Sequence, residues 1–199
     1  SDYEIDPEIN EKIALFCDVK PEAVIPMVTS PILYEIPLLL DKTCIADTLL
    51  ERLELKAQKQ PDWTEWKSLI AEVRKPKPSI TVALVGKYVE LHDAYISVRE
   101  ALKHAALANG VELDLRWVHS TDLENGIGWE ELEGVDGIVV PGGFGSRGIE
   151  GKIRTATFAR ENKIPYLGLC LGMQVMVIEY ARNVLHFDKA NSSEFDRSS

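Results

Sequence analysis

Apolar positions along this chain change their period near residue 76. Before that point they recur at roughly helical spacing in short runs broken by prolines; after it, continuous apolar runs ending at glycine alternate with amphipathic stretches of helical period. In the first part, Ile9, Ile13, Leu15 and Phe16 follow Pro7 and predict a helix whose first turn holds the proline, with Cys17 closing the apolar face as a core residue. Residues 23–40 are apolar but carry Pro26, Pro31 and Pro37, which favours a short strand and irregular crossings over one long helix. Two amphipathic helices are predicted next, over 45–55 (Leu49, Leu50, Leu53, Leu55) and 62–73 (Trp63, Trp66, Leu69, Ile70, Val73), with Cys44 reading as structural just before the first.

Residues 1–73 hold no phosphate loop, no metal-ligand cluster and no histidine beside a nucleophile. Short helices with one strand also make a poor independent core at this length, so the segment reads as the tail of a larger domain. Residues 74–79, with two prolines and three cations, are a boundary.

From residue 80 the pattern is regular. Strands are predicted over 80–85, 111–118, 137–140 and 166–170, and helices over 94–110 (closed by Asn109-Gly110), 129–132, 150–162 and 173–181. Strands alternating with helices, two of them continuous apolar runs, give the fold class: α/β, a parallel sheet covered by helices on both faces. Function in such folds gathers at the carboxyl ends of the strands.

Composition narrows the function without naming it. A net charge of −10 and the absence of any basic run beyond Arg74–Lys77 argue against nucleic acid as a partner. Three widely spaced cysteines form neither a disulfide framework nor a C-x-x-C metal site, which points to a reducing compartment; with no apolar leader or membrane-length run, a cytosolic, membrane-free protein is expected.

The chemistry concentrates at the last strand. Pro165-Tyr166-Leu167-Gly168-Leu169-Cys170-Leu171-Gly172-Met173-Gln174 runs from a strand through Gly-x-Cys-x-Gly into a helix. Such an elbow sets its central residue on a sharp, strained turn, flanking glycines remove Cβ atoms that would clash, and the helix N-terminus favours a thiolate. The bland alternative is a small buried core cysteine. A second loop, Pro141-Gly142-Gly143-Phe144-Gly145-Ser146-Arg147-Gly148, ends the preceding strand. Gly143-x-Gly145-x-x-Gly148 matches a dinucleotide fingerprint, yet Leu169-Cys170-Leu171 stands where a ribose-binding acid belongs. Backbone N–H groups turned by Gly142 and Gly143 toward the thiolate suit acyl transfer better.

These two loops resemble those of the class I glutamine amidotransferases. Residues 145–152, 159–168 and 190–195, with Lys12–Cys17 and Tyr34–Leu40 upstream, are similar in particular to the CTP synthase family. The resemblance implies that residues 1–73 are the tail of a synthetase domain, 74–79 a linker and 80–199 the first part of a glutaminase domain. It implies Cys170 as nucleophile, Gly143 and Leu171 as the oxyanion hole, and Gly143, Leu171, Gly172, Met173, Gln174 and Glu194 as the glutamine site, with no metal. Arg147, Gly148 and Glu150 resemble a lid through which GTP activates hydrolysis. In that family glutamine supplies ammonia to UTP, ATP and Mg²⁺ activate the UTP, and the enzyme is a homotetramer. The chain contains no G-x-x-x-x-G-K-[ST], and none of His92, His104, His119 and His186 is followed by the Pro-Glu that completes the family's triad. An internal stretch of a longer protein, inactive alone, is therefore expected. A Rossmann-type dinucleotide binder and a non-catalytic structural segment are the competing readings.

Overall fold

The structure, a computed structural model, describes residues 5–195; residues 1–4 and 196–199 lie outside the described residues. The chain divides between Lys75 and Pro76 into two compact units.

The first unit holds helices α1 (Pro7–Cys17), α2 (Ile36–Asp41), α3 (Ile45–Arg52) and α4 (Thr64–Arg74). Asp6 caps α1 by accepting the Glu8 N–H at 3.0 Å, and Pro7 occupies its first turn. Trp66 of α4 donates its indole N–H to the Tyr34 carbonyl at 2.7 Å. Two expectations are corrected here. Residues 23–40 form no strand among the described residues: Pro37 instead opens α2, a position that needs no N–H. Cys17 is exposed rather than in a core, as are Leu15 (79%) and Phe16 (83%), leaving Ala14 as the buried residue of α1. Four short helices have too little surface to enclose that apolar face. Cys44 is also exposed, and its thiol donates to the Glu22 carbonyl at 2.9 Å, holding the start of α3 against the preceding turn.

The second unit runs β1 (Ser79–Gly86), α5 (Ile96–Ala108), β2 (Glu112–His119), α6 (Ser120–Glu124), β3 (Gly137–Val140), α7 (Ile149–Glu161), β4 (Tyr166–Gly168) and α8 (Leu171–Asn183). Its four strands are all parallel in the order β2-β1-β3-β4, with Ser79 opposite Glu112, Val82 opposite Gly137 and Val140 opposite Gly168. Successive residues of β1 enter different cores. Ala83 and Val85 join Ile138, Val140, Ile153, Val175 and Ile178 on the side of α7 and α8, while Leu84 packs with Val89 and Tyr95 against Val98 and Trp117. Both faces being covered is why the run 80–85 carries no polar alternation.

Strand order reverses direction at β1, so the carboxyl ends of β1 and β3 flank the crevice such sheets use for ligands. Helices α7 and α8 are locked together by Arg160, whose guanidinium grips the buried Glu179 carboxylate at 2.9 and 3.1 Å. Burial would raise that carboxyl, but the Arg160 and Asn183 hydrogen bonds outweigh it and hold it below its ordinary value. Among the described residues no helix is long and apolar enough to cross a membrane.

Candidate active site

The elbow forms as the glycine spacing demands. Cys170 stands at φ 52°, ψ −104° as the residue capping α8, a conformation that side-chain-bearing residues avoid and that the surroundings must enforce. The enforcement is visible. The Leu169 N–H donates to the Val140 carbonyl at 2.9 Å before the turn, and the N–H groups of Met173 and Gln174 donate to the Cys170 carbonyl at 3.1 Å after it. Tyr166 donates its hydroxyl to the Gly172 carbonyl at 3.1 Å; burial, with the Glu179 charge behind it, pushes that phenol well above its ordinary value, so it remains a donor.

Neither flanking glycine is needed for a positive φ; both are needed for space. A Cβ on Gly168 would come 2.4 Å from the Gly172 carbonyl, and one on Gly172 would come 2.0 Å from the Val140 oxygen. Cys170 is exposed, and Leu171 is the first residue of α8, where backbone N–H groups have no intrahelical acceptor.

The Gly142–Gly143 loop follows β3, which pairs with β4, so it lies beside the elbow. A Cβ on Gly142 would stand 3.4 Å from Cys170 Cβ and 4.0 Å from its sulfur; one on Gly143 would stand 3.5 Å from the Leu171 side chain. Gly143 and Leu171, the two residues expected to form the oxyanion hole, are thus neighbours. Gly145 and Gly148 do take positive φ, 79° and 74°, which only glycine adopts freely. Phe144 between them is exposed.

Two lysines that pattern reading passed over sit beneath this loop. Lys87, just past β1, donates to the Phe144 carbonyl. Lys152 of α7 is fully buried, its ammonium has no hydrogen-bond partner among the described residues, and it lies 3.8 Å from where a Gly143 Cβ would be. Burial, reinforced by the Lys87 charge, pulls the Lys152 pKa down to about 8. The helical period could have revealed it, since Ile149, Lys152, Ile153 and Ala156 share one buried stripe.

This burial has a stability consequence. The folded chain gives up the Lys152 proton about 8, below the ordinary 10.5, so it binds fewer protons than the unfolded chain between those values and gains stability as pH rises through that window. Below it the full penalty, up to about 3 kcal/mol, is present. Lys152→Met is therefore expected to raise the urea midpoint at pH 7, with the gain shrinking toward pH 10; an unchanged or lowered midpoint at pH 7 contradicts it.

The remaining site residues divide into two groups. Gln174 and Glu194 meet directly, the Gln174 amide donating to the Glu194 carboxylate at 2.9 Å, and Ser192, to which the sequence assigned no site role, donates to the Gln174 oxygen at 2.9 Å. Met173 is half-exposed on the first turn of α8. Arg147 turns to β1's end, donating to the Lys87 carbonyl at 3.2 Å and lying 5.5 Å over the Tyr88 ring, whereas Glu150 pairs with Arg182 at 3.0 Å. The residues expected to form a lid, Arg147 and Glu150, therefore do not pair with each other. Among the histidines, His92 stacks on Trp117 at 4.4 Å and His119 accepts the Thr121 N–H at 3.3 Å to cap α6, while His104 and His186 are exposed.

An α/β sheet with a cysteine elbow beside a double-glycine loop defines an amidotransferase type of site. Residues 90–197 match the family model of glutamine amidotransferase class-I, and the chain belongs to that family. Residues 1–55 match a second family model, CTP synthase N-terminus. Among curated relatives, the chain is 54% identical over 188 residues to the CTP synthase of Ruminiclostridium cellulolyticum, covering 94% of this chain and 35% of that protein. It is 53% identical over 199 residues to the CTP synthase of Dehalococcoides mccartyi, covering 100% of this chain and 36% of that protein. The chain thus spans about a third of the length of the curated relatives it matches. A solved structure described as Trypanosoma brucei CTPS, glutaminase domain with bound acivicin, matches with TM-score 0.55 and 45% identity over 60% of this chain and 47% of that one. The dinucleotide-binding reading is set aside by these matches.

Proposed function

We propose that this chain carries the nucleophile and oxyanion loop of a glutamine-hydrolysing site that delivers ammonia for the amination of UTP to CTP. The observation that carries the reading is Cys170 held at φ 52° at the head of α8, with Gly142 against it. The Cys170 thiolate attacks the γ-carboxamide carbon of L-glutamine; a C–S bond forms and the carbonyl π pair moves onto oxygen. The N–H groups of Gly143 and Leu171 receive that charge. Collapse expels ammonia once its nitrogen is protonated, and water then releases glutamate from the thioester.

Gln174 and Glu194, with Leu171, Gly172 and Met173, form the wall that holds the substrate's amino-acid end; the Gln174–Glu194 hydrogen bond makes them one unit. The kinship with CTP synthases brings the rest: ATP and Mg²⁺ for activating UTP, GTP as activator at Arg147, Gly148 and Glu150, and a homotetramer. The cations at the end of β1, Lys87 and Arg147 about the Tyr88 ring, suit an anionic effector there.

The test is iodoacetamide at neutral pH with peptide mass spectrometry. All three thiols are exposed, so accessibility does not decide the outcome. Cys170 is expected to be alkylated first, and saturating L-glutamine to slow it; preferential labelling of Cys17 or Cys44 would overturn the assignment.

A further inference from the structure

Lys152 is the one fully buried ammonium without a hydrogen-bond partner among the described residues, and its place is specific. It rises from the first turns of α7, where its own N–H donates to the Gly148 carbonyl at 3.2 Å, and ends 3.8 Å from the Cβ position of Gly143. Lys87 approaches the same loop from the end of β1: its Cε lies 3.9 Å from that position, and its ammonium lies 3.9 Å from the Cβ position of Gly145. Lys87 spends its charge on the Phe144 carbonyl. Lys152 has no such acceptor, and the neighbouring Lys87 charge repels it. A protein does not keep a lone ammonium dry, beside another cation, for packing; a methionine would fill that volume at less cost.

We infer that Lys152 is a positioning residue for the oxyanion loop, its ammonium placed behind Gly143 so that its missing counter-charge arrives with the negative charge that develops on the substrate oxygen. The inference rests on the amidotransferase reading above. It assigns to Lys152 a charge interaction made in the transition state and absent from the ground state, the kind that changes the acylation rate and not substrate affinity. Lys152 itself does not touch the substrate. Lys152, Lys87 from just past β1 and Leu171 of α8 all stand around the Cβ position of Gly143, and after burial it is the Lys87 charge that lowers the Lys152 titration.

The experiment uses the γ-(4-nitrophenyl) ester of L-glutamate, whose phenolate leaves without a proton from the protein. Acylation of Cys170 is followed as the nitrophenolate burst, with Cys170→Ala subtracted as blank, in the wild-type chain and in Lys152→Met and Lys152→Gln. At pH 7 the acylation rate constant is expected to fall about tenfold in both variants, while the ester concentration at half-saturation stays within about twofold. Because Lys152 loses its proton near pH 8, the difference between wild type and variants is expected to close by about pH 9.5. Equal rates at pH 7, or a deficit that is the same at pH 7 and 9.5, would overturn the inference, the second result marking Lys152 as merely structural. Circular dichroism establishes that the variants are folded, and two substitutions guard against a local collapse peculiar to one. If the wild type shows no Cys170-dependent burst, the amidotransferase reading fails and takes this inference with it. A wild-type burst untouched by Lys152 substitution fails the inference alone.

Discussion

Purified as these 199 residues, the chain is expected to release glutamate from L-glutamine no faster than its Cys170→Ala variant. Attack by sulfur on the carboxamide is only half of the reaction. The tetrahedral intermediate must expel ammonia in preference to thiolate, and an amide nitrogen leaves only when protonated. A positioned general acid contributes about a hundred- to ten-thousand-fold, and residues that act as a unit lose nearly everything when one is missing. The histidines are engaged elsewhere or lie on the surface: His92 stacks on Trp117, His119 caps α6, and His104 and His186 are exposed. The measurement is glutamate release with and without GTP. Turnover of about 1 per second, an ordinary enzymatic rate, abolished by Cys170→Ala, would show that one of those four histidines or another group does the acid's work.

The second large effect is structural. Gly172→Ala is expected to destabilise the second unit by about 3 kcal/mol or more, well beyond an ordinary surface substitution. The new methyl would stand 2.0 Å from the Val140 oxygen and 2.9 Å from its carbonyl carbon, and backbone cannot rotate away as a side-chain tip can. That same oxygen accepts the Leu169 N–H at 2.9 Å, so moving it also loosens the entry to the elbow. Alanine's better helix propensity recovers no more than about 1 kcal/mol. Urea denaturation reads the effect as a lowered midpoint at unchanged slope. A midpoint equal to wild type would mean that α8 shifts off β3 freely, and that the elbow is not the rigid device described here.

The period change near residue 76 made the α/β half readable, because parallel strands buried on both faces must be continuous apolar runs and the helices between them must be amphipathic. Boundaries slipped by a residue or two where caps decided them: the strand predicted over 166–170 stops at Gly168, since Leu169 and Cys170 are consumed by the turn. Helix α6 went unseen because five residues, Ser120–Glu124, are too few to show a period. In the first unit propensity misled. Apolar, proline-broken sequence resembles strand, but with no partner strand Pro37 opens a helix, and apolar spacing on α1 promised a buried face that four short helices do not cover.

At the site, the elbow and its glycines were legible because their roles are steric and local. Lys87, Lys152 and Ser192 were not, for a common reason. Lys87 and Ser192 meet Phe144 and Gln174, 57 and 18 positions away, and Lys152 meets Gly143 only across the glycine loop, neighbours that leave no spacing to read. Lys152 left one trace, a cation on a buried helical stripe, which a period count of α7 exposes. The Glu150–Arg182 pair likewise joins residues 32 apart, so the adjacency of Arg147 and Glu150 in sequence suggested a partnership that the fold does not make.

The claim on which all of this depends is that Cys170 is a nucleophile aimed at a γ-glutamyl carbonyl. It is tested most directly by mass spectrometry of the chain after brief exposure to the nitrophenyl ester, which needs no acid to expel its leaving group. One γ-glutamyl group per chain is expected, on the peptide containing Cys170, formed in step with the nitrophenolate burst and absent from Cys170→Ala. An adduct distributed over Cys17, Cys44 and Cys170, or a burst that survives the alanine substitution, would contradict it.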